Sequence, residues 1–259
     1  MLSKNKLKYI RSLALKKNRD AEQVFLAEGP KITEELAGHF TCCLLAGTAE
    51  YLSKRSHIEA EEVLEISPKE LEQASQLKSP HDVLAVFRRE CTGASPSPAD
   101  AANMKTLSLA LDDVQDPGNL GTIIRLADWF GIEDIYCSLH TADAFAPKVV
   151  QATMGAIARV RIHYVNLPDF LNNLPEGTPV YGTFLEGDNL YNEQLTTNGI
   201  LVMGNEGNGI SKETERFITN RLFIPNYPAS RQTSESLNVA VATAVACAEF
   251  RRQSFFQKP

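Results

Sequence analysis

Residues 222–253 read LFIPNYPASRQTSESLNVAVATAVACAEFRRQ. The stretch opens as a short apolar strand, Leu222-Phe223-Ile224, and passes into a long polar loop with two prolines. The loop closes at Ser236-Leu237-Asn238, and a helix rich in alanine and valine follows. Polar side chains thus gather where strand gives way to helix. In α/β sheets that junction, beyond the carboxyl end of a strand, is where ligands bind.

Upstream the same unit recurs. Leu107–Leu111 is an apolar strand, and Asp116-Pro117-Gly118-Asn119 after it is strong turn chemistry. Leu120, Ile123, Ile124 and Ala127 then fall at helical spacing up to Gly131, with Arg125 off the apolar stripe. Strands are predicted at 132–137, 159–165, 180–184 and 200–203, and helices at 147–157, 168–174 and 212–219. The strand at 200–203 runs into Gly204-Asn205-Glu206-Gly207-Asn208-Gly209. Repeated strand-helix units predict a largely parallel sheet covered on both faces. Residues 106–259 are expected to form this domain.

Residues 1–91 read as a smaller α/β domain, with strands at 24–29, 44–46, 63–66 and 83–87. Pro30 suits the first turn of a helix, and Ser67 with Glu70 has the spacing of a capping box. Residues 92–105, with two Ser-Pro steps, have the composition of a linker. Residues 1–19 carry Lys4, Lys6, Lys8, Arg11, Lys16, Lys17 and Arg19 without one acid. Lys4, Lys8 and Arg11 share a helix face, either solvated or RNA-contacting.

A net charge of −6 and a pI near 5.5 argue against indiscriminate adhesion to nucleic acid, although a local basic patch can still bind phosphate. The five cysteines form no CxxC pair, so reduced and mostly buried thiols are expected, with no metal. The longest apolar run, 239–248, is too short to span a bilayer, and a cytoplasmic protein is expected.

Three polar clusters follow strands: Asn119 with Arg125, the glycine loop around Glu206, and Ser236 with Asn238. In a parallel sheet they share one edge. The glycine loop has neither the G-x-G-x-x-G order nor a G-K-[ST] step, which weighs against dinucleotide or P-loop binding. There is no G-x-S-x-G, and the histidines lie outside the clusters, which weighs against nucleophilic hydrolysis. A site of Asn, Arg, Glu and Ser suits transfer to a hydroxyl flanked by phosphate.

These residues also carry a resemblance. Residues 116–127, DPGNLGTIIRLA, resemble the first signature of the SpoU family of RNA ribose 2′-O-methyltransferases, in the SPOUT superfamily. Residues 202–210, VMGNEGNGI, resemble the second, and Ile224-Pro225 with 236–242, SLNVAVA, the third. Residues 151–156 are similar to a segment between them. Residues 25–29 and 79–86 are similar, more weakly, to the family's ribosomal-protein-like α/β domain, which grips RNA.

The resemblance implies an α/β fold with a C-terminal trefoil knot, S-adenosylmethionine as methyl donor, no metal, and a homodimer. It implies cofactor contacts at Gly204, Ile224 and Leu237. Arg125 would bind the target phosphate and stabilise the developing oxyanion. Asn119 would position Arg125 or substrate, Glu206 would orient that network, and Ser236 and Asn238 would bond ribose or loop backbone. The substrate is expected to be structured RNA, rRNA ahead of tRNA. The alternative is a non-catalytic RNA-binding or ribosome-assembly factor that retained the fold. One departure stands out: the loop 226–235 is long and glycine-free, and it contains Arg231.

Overall fold

The computed structural model describes residues 2–55, 57–89, 106–228, 231 and 236–256. The chain divides into two compact units, residues 1–92 with 143–158, and residues 93–142 with 159–259. The linker expected at 92–105 lies outside the described residues.

The N-terminal unit begins with two short helices, α1 (Lys4–Ser12) and α2 (Lys16–Glu22). Strands β1 (Val24–Glu28), β2 (Cys42–Gly47), β3 (Val63–Glu65) and β4 (Val83–Arg88) form a sheet in the order β1-β4-β2-β3. Strand β4 is antiparallel to both its neighbours, and β2 pairs β3 in parallel. Helices α3 (Pro30–Ala37), α4 (Ala49–Lys54) and α5 (Pro68–Ala74) connect them. Ser67 and Glu70 form the capping box that their spacing predicts at the start of α5. Helix α4 has no strong periodicity in the sequence; Thr48 caps it by accepting from the Tyr51 backbone N–H. One core under α1 and α5 is built from Ile10, Leu13, Leu26, Leu44, Leu71 and Val86.

Residues 143–158, expected within the C-terminal domain, pack in this first unit instead. The reason is a polar and aromatic anchor that is remote in sequence. Arg19 is 2% exposed. Its Nη1 donates to the carbonyls of Leu13 and Ala14 at 2.7 and 2.8 Å, and its Nη2 pairs with Asp143 at 2.5 Å. Phe145 packs on Phe25, with ring centroids 5.1 Å apart, and the Arg89 guanidinium lies 5.1 Å above the Phe145 ring. Helix α7 of this segment spans Pro147–Thr153, shorter than the 147–157 expected, because Met154 and Gly155 turn left-handed at φ 52° and 94°. The φ of 94° at Gly155 is one that side-chain-bearing residues rarely adopt, and a Cβ there would also meet Glu35 Cγ at 2.4 Å, so the position favours glycine.

The C-terminal unit is a seven-stranded sheet. It comprises β5 (Leu107–Leu111), β6 (Asp134–Ser138), β7 (Arg161–Val165), β8 (Val180–Phe184), β9 (Asp188–Asn189), β10 (Gly199–Met203) and β11 (Asn220–Phe223). The order is β7-β6-β5-β10-β8-β11-β9, and every pairing is parallel. Strands β5 and β10 are buried at every position, as expected of central strands in a sheet covered on both faces. The two-residue β9 was not expected; nothing in Asp188-Asn189 has strand propensity, and parallel pairing with Leu222 and Phe223 forms it.

Helix α6 (Pro117–Trp129) follows β5, with Asp116 as N-cap and Pro117 in its first turn. Helices α8 (Leu167–Asn172) and α9 (Lys212–Glu215) are short, and α9 stops four residues before the expected end. Helix α10 (Val239–Phe256) packs along α6. Arg251 near its end donates to the carbonyls of Phe130 and Gly131 at 2.6 and 3.0 Å, capping the carboxyl end of α6 with a cation. Cys42, Cys137 and Cys247 are buried, and burial pushes the Cys42 and Cys247 thiols up to about 12. Among the described residues no helix is long and apolar enough to cross a membrane.

Candidate active site

The strand order brings together the carboxyl ends of β5, β10, β8 and β11. Asn119 is the third residue of α6, and its backbone N–H donates to the Asp116 cap at 2.8 Å. Its side chain is held from both sides. Nδ2 donates to Glu206 Oε1 at 2.7 Å, and Oδ1 accepts from Asn238 Nδ2 at 2.9 Å. Asn238 itself caps α10, its Oδ1 accepting from the backbone N–H groups of Ala240 and Val241 at 3.0 and 3.3 Å.

This relay has one direction. Asn238 Oδ1 is committed to helix amides, which turns its Nδ2 toward Asn119. Asn119 then presents its own Nδ2 to Glu206, where a carboxylate oxygen accepts. Both amide orientations follow from the network alone. Glu206 is exposed, and its second oxygen faces no described donor. The amino ends of α6 and α10 meet here, so two helix dipoles point their positive ends at one place.

Three of the five residues expected to act together therefore do meet: Asn119, Glu206 and Asn238. The other two are not part of the relay. Arg125 lies six residues beyond Asn119, about 9 Å along the helix axis, on the exposed face of α6. It has no ion pair or hydrogen bond to another described residue. Asn119 thus engages Glu206 and Asn238 rather than Arg125. Ser236 is exposed and does not cap α10, a role that its position three residues before the helix cannot fill and Asn238 does.

Of the positions expected to touch cofactor, Gly204 directly follows β10 and Ile224 directly follows β11. Strand β8 lies between those two, and Leu185 at its end is 64% exposed. Leu237, just before α10, is 49% exposed. Gly204 is glycine for the loop's own sake: a Cβ would sit 2.2 Å from the Gly209 carbonyl carbon. In the loop 226–235, Asn226 Nδ2 donates to the Arg231 carbonyl at 3.1 Å, and Arg231 is exposed. Residues 229–230 and 232–235 lie outside the described residues.

Asn205, Asp112 and Asp113 escaped the sequence reading. The buried Asp112 accepts from the Ser211 backbone N–H at 2.8 Å, and Asn205 Nδ2 donates to the Asp113 carbonyl at 2.8 Å. An Asp-Asp pair directly after an apolar strand, and an Asn directly after a glycine and two residues before another, were the available signals. At the opposite, amino end of β6, Asp134 is gripped by Arg161 and by His163 at 2.8 Å. Burial there works against its charge, but the hydrogen bonds from His163 and Arg161 outweigh it and hold the carboxyl down at about 2.

Residues 106–248 match the SpoU rRNA Methylase family, and residues 4–85 match an MRM3-like substrate binding domain. A TrmH-family protein from Porphyromonas gingivalis is 44% identical, with a TM-score of 0.86, over 98% of this chain and 99% of that one. An AdoMet-bound rRNA methyltransferase from Sinorhizobium meliloti is 31% identical, with a TM-score of 0.83, over 97% of both chains. The 23S rRNA (guanosine(2553)-2′-O)-methyltransferase RlmP of Bacillus subtilis is 39% identical over 53% of this chain. The match spans 54% of that relative's length.

Proposed function

The chain belongs to the SpoU rRNA methylase family, and on that premise we propose that it transfers a methyl group from S-adenosylmethionine to a ribose 2′-hydroxyl of structured RNA, rRNA ahead of tRNA. The observation that carries the reading is the directed relay Asn238–Asn119–Glu206 at the carboxyl edge of the parallel sheet. It leaves a carboxylate oxygen and two helix amino termini beside the strand ends where a nucleoside would lie.

The residues present fit S-adenosylmethionine. Backbone after β10 and β11 at Gly204 and Ile224 offers hydrogen-bonding groups, while half-exposed Leu237 and exposed Leu185 offer apolar walls. When bound, the cofactor supplies an electrophilic methyl group. The chain's own task is to align the ribose hydroxyl and to stabilise the negative charge that grows on its oxygen. Glu206, held by Asn119, orients the hydroxyl or a group next to it. Ser236 bonds the ribose. Arg125 brings a guanidinium, whose fork of N–H donors grips the target phosphate and stabilises the oxyanion.

Arg125 is exposed and makes no hydrogen bond or ion pair with the relay of its own chain, and this supports a homodimer in which it completes the site of a second copy. Trp129 on the same helix is 83% exposed and Val241 on α10 is 50% exposed, apolar surface suited to such contact. The C-terminal trefoil knot and the ribosomal-protein-like character of the N-terminal domain belong to the same proposal, as does a cytoplasmic location. Lys4, Lys8 and Arg11, all exposed along α1, give the N-terminal unit a basic stripe for RNA phosphate.

Calorimetric titration with S-adenosylmethionine, followed by mapping of 2′-O-methyl groups in total RNA with and without the protein, tests the reading. Micromolar binding and one lost methyl mark in the deletion strain are expected. Binding without any mark would favour the non-catalytic RNA-binding factor.

A further inference from the structure

The loop that carries Glu206 is pinned by one side chain. Asn205 and Gly209 exchange backbone hydrogen bonds, both 2.9 Å, which close the loop on itself. Within that closure Asn205 Oδ1 accepts from the backbone N–H groups of Gly207 and Asn208 at 2.9 and 3.0 Å. Its Nδ2 leaves the loop and donates to the Asp113 carbonyl at 2.8 Å. Asp113 adopts φ 62°, a left-handed conformation rare outside glycine, in the segment that runs from β5 toward α6. That conformation is held in place: the Asp113 N–H donates to Ser138 Oγ at 2.9 Å, and Gln115 Nε2 bonds both carboxylate oxygens at 3.1 and 3.2 Å.

We propose that Asn205, braced on the strained Asp113, is a positioning residue for methyl transfer, fixing Glu206 against Asn119. This rests on the functional reading above. Three features support the role. The Asn205 oxygen already accepts two hydrogen bonds, so it has no capacity left for substrate. The neighbouring Glu206 reaches Asn119 at 2.7 Å, a contact that depends on the separation of the two loops. Asn205 bridges those same two loops directly. The asparagine amide carries on two separate atoms the acceptor that folds the glycine loop and the donor that ties it to the β5–α6 segment. Aspartate keeps the first and loses the second.

That difference makes the test. In Asn205→Asp, single-turnover methyl transfer at saturating cofactor and RNA is expected to fall about 10- to 100-fold. The cofactor Kd and the RNA KM should stay within about threefold. Asn205→Ala should lose rate similarly and, in addition, speed hydrogen exchange at the Gly207 and Asn208 amides about tenfold or more, with the rest of the unit unchanged. A wild-type rate in Asn205→Asp, or a loss of rate matched by an equal loss of cofactor affinity, would overturn the proposal. The exchange measurement stands apart from activity. Should the wild-type protein transfer no methyl group, the functional reading fails by itself, while unchanged exchange in Asn205→Ala would remove the brace itself.

Discussion

Arg19 and Arg125 mark how differently the two units use a cation. Arg19 is 2% exposed, with three acceptors around its guanidinium, and it draws residues 143–158 into the N-terminal unit. Arg125 stands exposed on α6 with no partner among the described residues. Glu28 and Glu206 repeat the contrast. Glu28 is buried, its hydrogen bonds with Ser75 and the Gln76 N–H are internal, and burial raises its carboxyl above the ordinary range despite them. Glu206 is exposed and spends one oxygen on Asn119. Arg19 and Glu28 are consumed by the fold of the first unit, while Arg125 and Glu206 in the second are left available.

The contrast can be broken most forcefully at Arg19. Arg19→Ala strands the Asp143 carboxylate and should destabilise the N-terminal unit by about 3–5 kcal/mol, read from denaturant unfolding. Cofactor affinity in the same variant should be unchanged. Arg125→Ala should do the reverse, lowering methyl transfer about 10²- to 10³-fold while melting temperature and cofactor binding persist. Near-normal turnover by that variant would remove Arg125 from the site. Neutralising Lys4, Lys8 and Arg11 together sharpens the comparison on the surface of the first unit. The slope of log affinity for RNA against log salt should shrink by about 2–3, and an unchanged slope would mean that the stripe is merely solvated.

The smallest expected effect concerns acid. Asp134 is held down at about 2, below its ordinary value, so its contribution to stability is present above about pH 4 and is lost as pH falls toward 2. With Arg161 half exposed, that contribution is on the order of 1 kcal/mol. His163→Gln should flatten this part of the acid-unfolding profile of the C-terminal unit. An unaltered profile would separate the pair from stability.

Local chemistry announced much of this molecule. The capping box at Ser67 and the apolar strands β5 and β10 are written in adjacent residues and form where expected, whereas Asp116-Pro117-Gly118-Asn119, expected as a turn, is the N-cap and first three residues of α6. The parallel sheet follows from their alternation with helices. What escaped depends on partners distant in sequence. Asp143 finds Arg19 across 124 positions, and Asn205 finds Asp113 across 92. Neither pair leaves a periodic trace. Asn119, Glu206 and Asn238 were legible as residues, but their order in the relay was not, because amide direction is set by the capping of α10. The separation of Arg125 from Asn119 is plain helix geometry, six residues along one helix, and was legible in principle.

Helices α6 and α10 are fastened at both ends, by Asn238 to Asn119 at the start and by Arg251 to Phe130 and Gly131 at the finish. Thirteen residues separate the two fasteners on α10, about 20 Å of helix at 1.5 Å per residue. The pair therefore works as a gauge. One residue inserted between Asn238 and Arg251 would advance the far fastener by about 1.5 Å and swing it about 100° around the axis, so that both ends could not engage together. Side-chain identity on α10 can drift, but its residue count cannot, and the count is kept by an arginine far from the chemistry that it keeps in register.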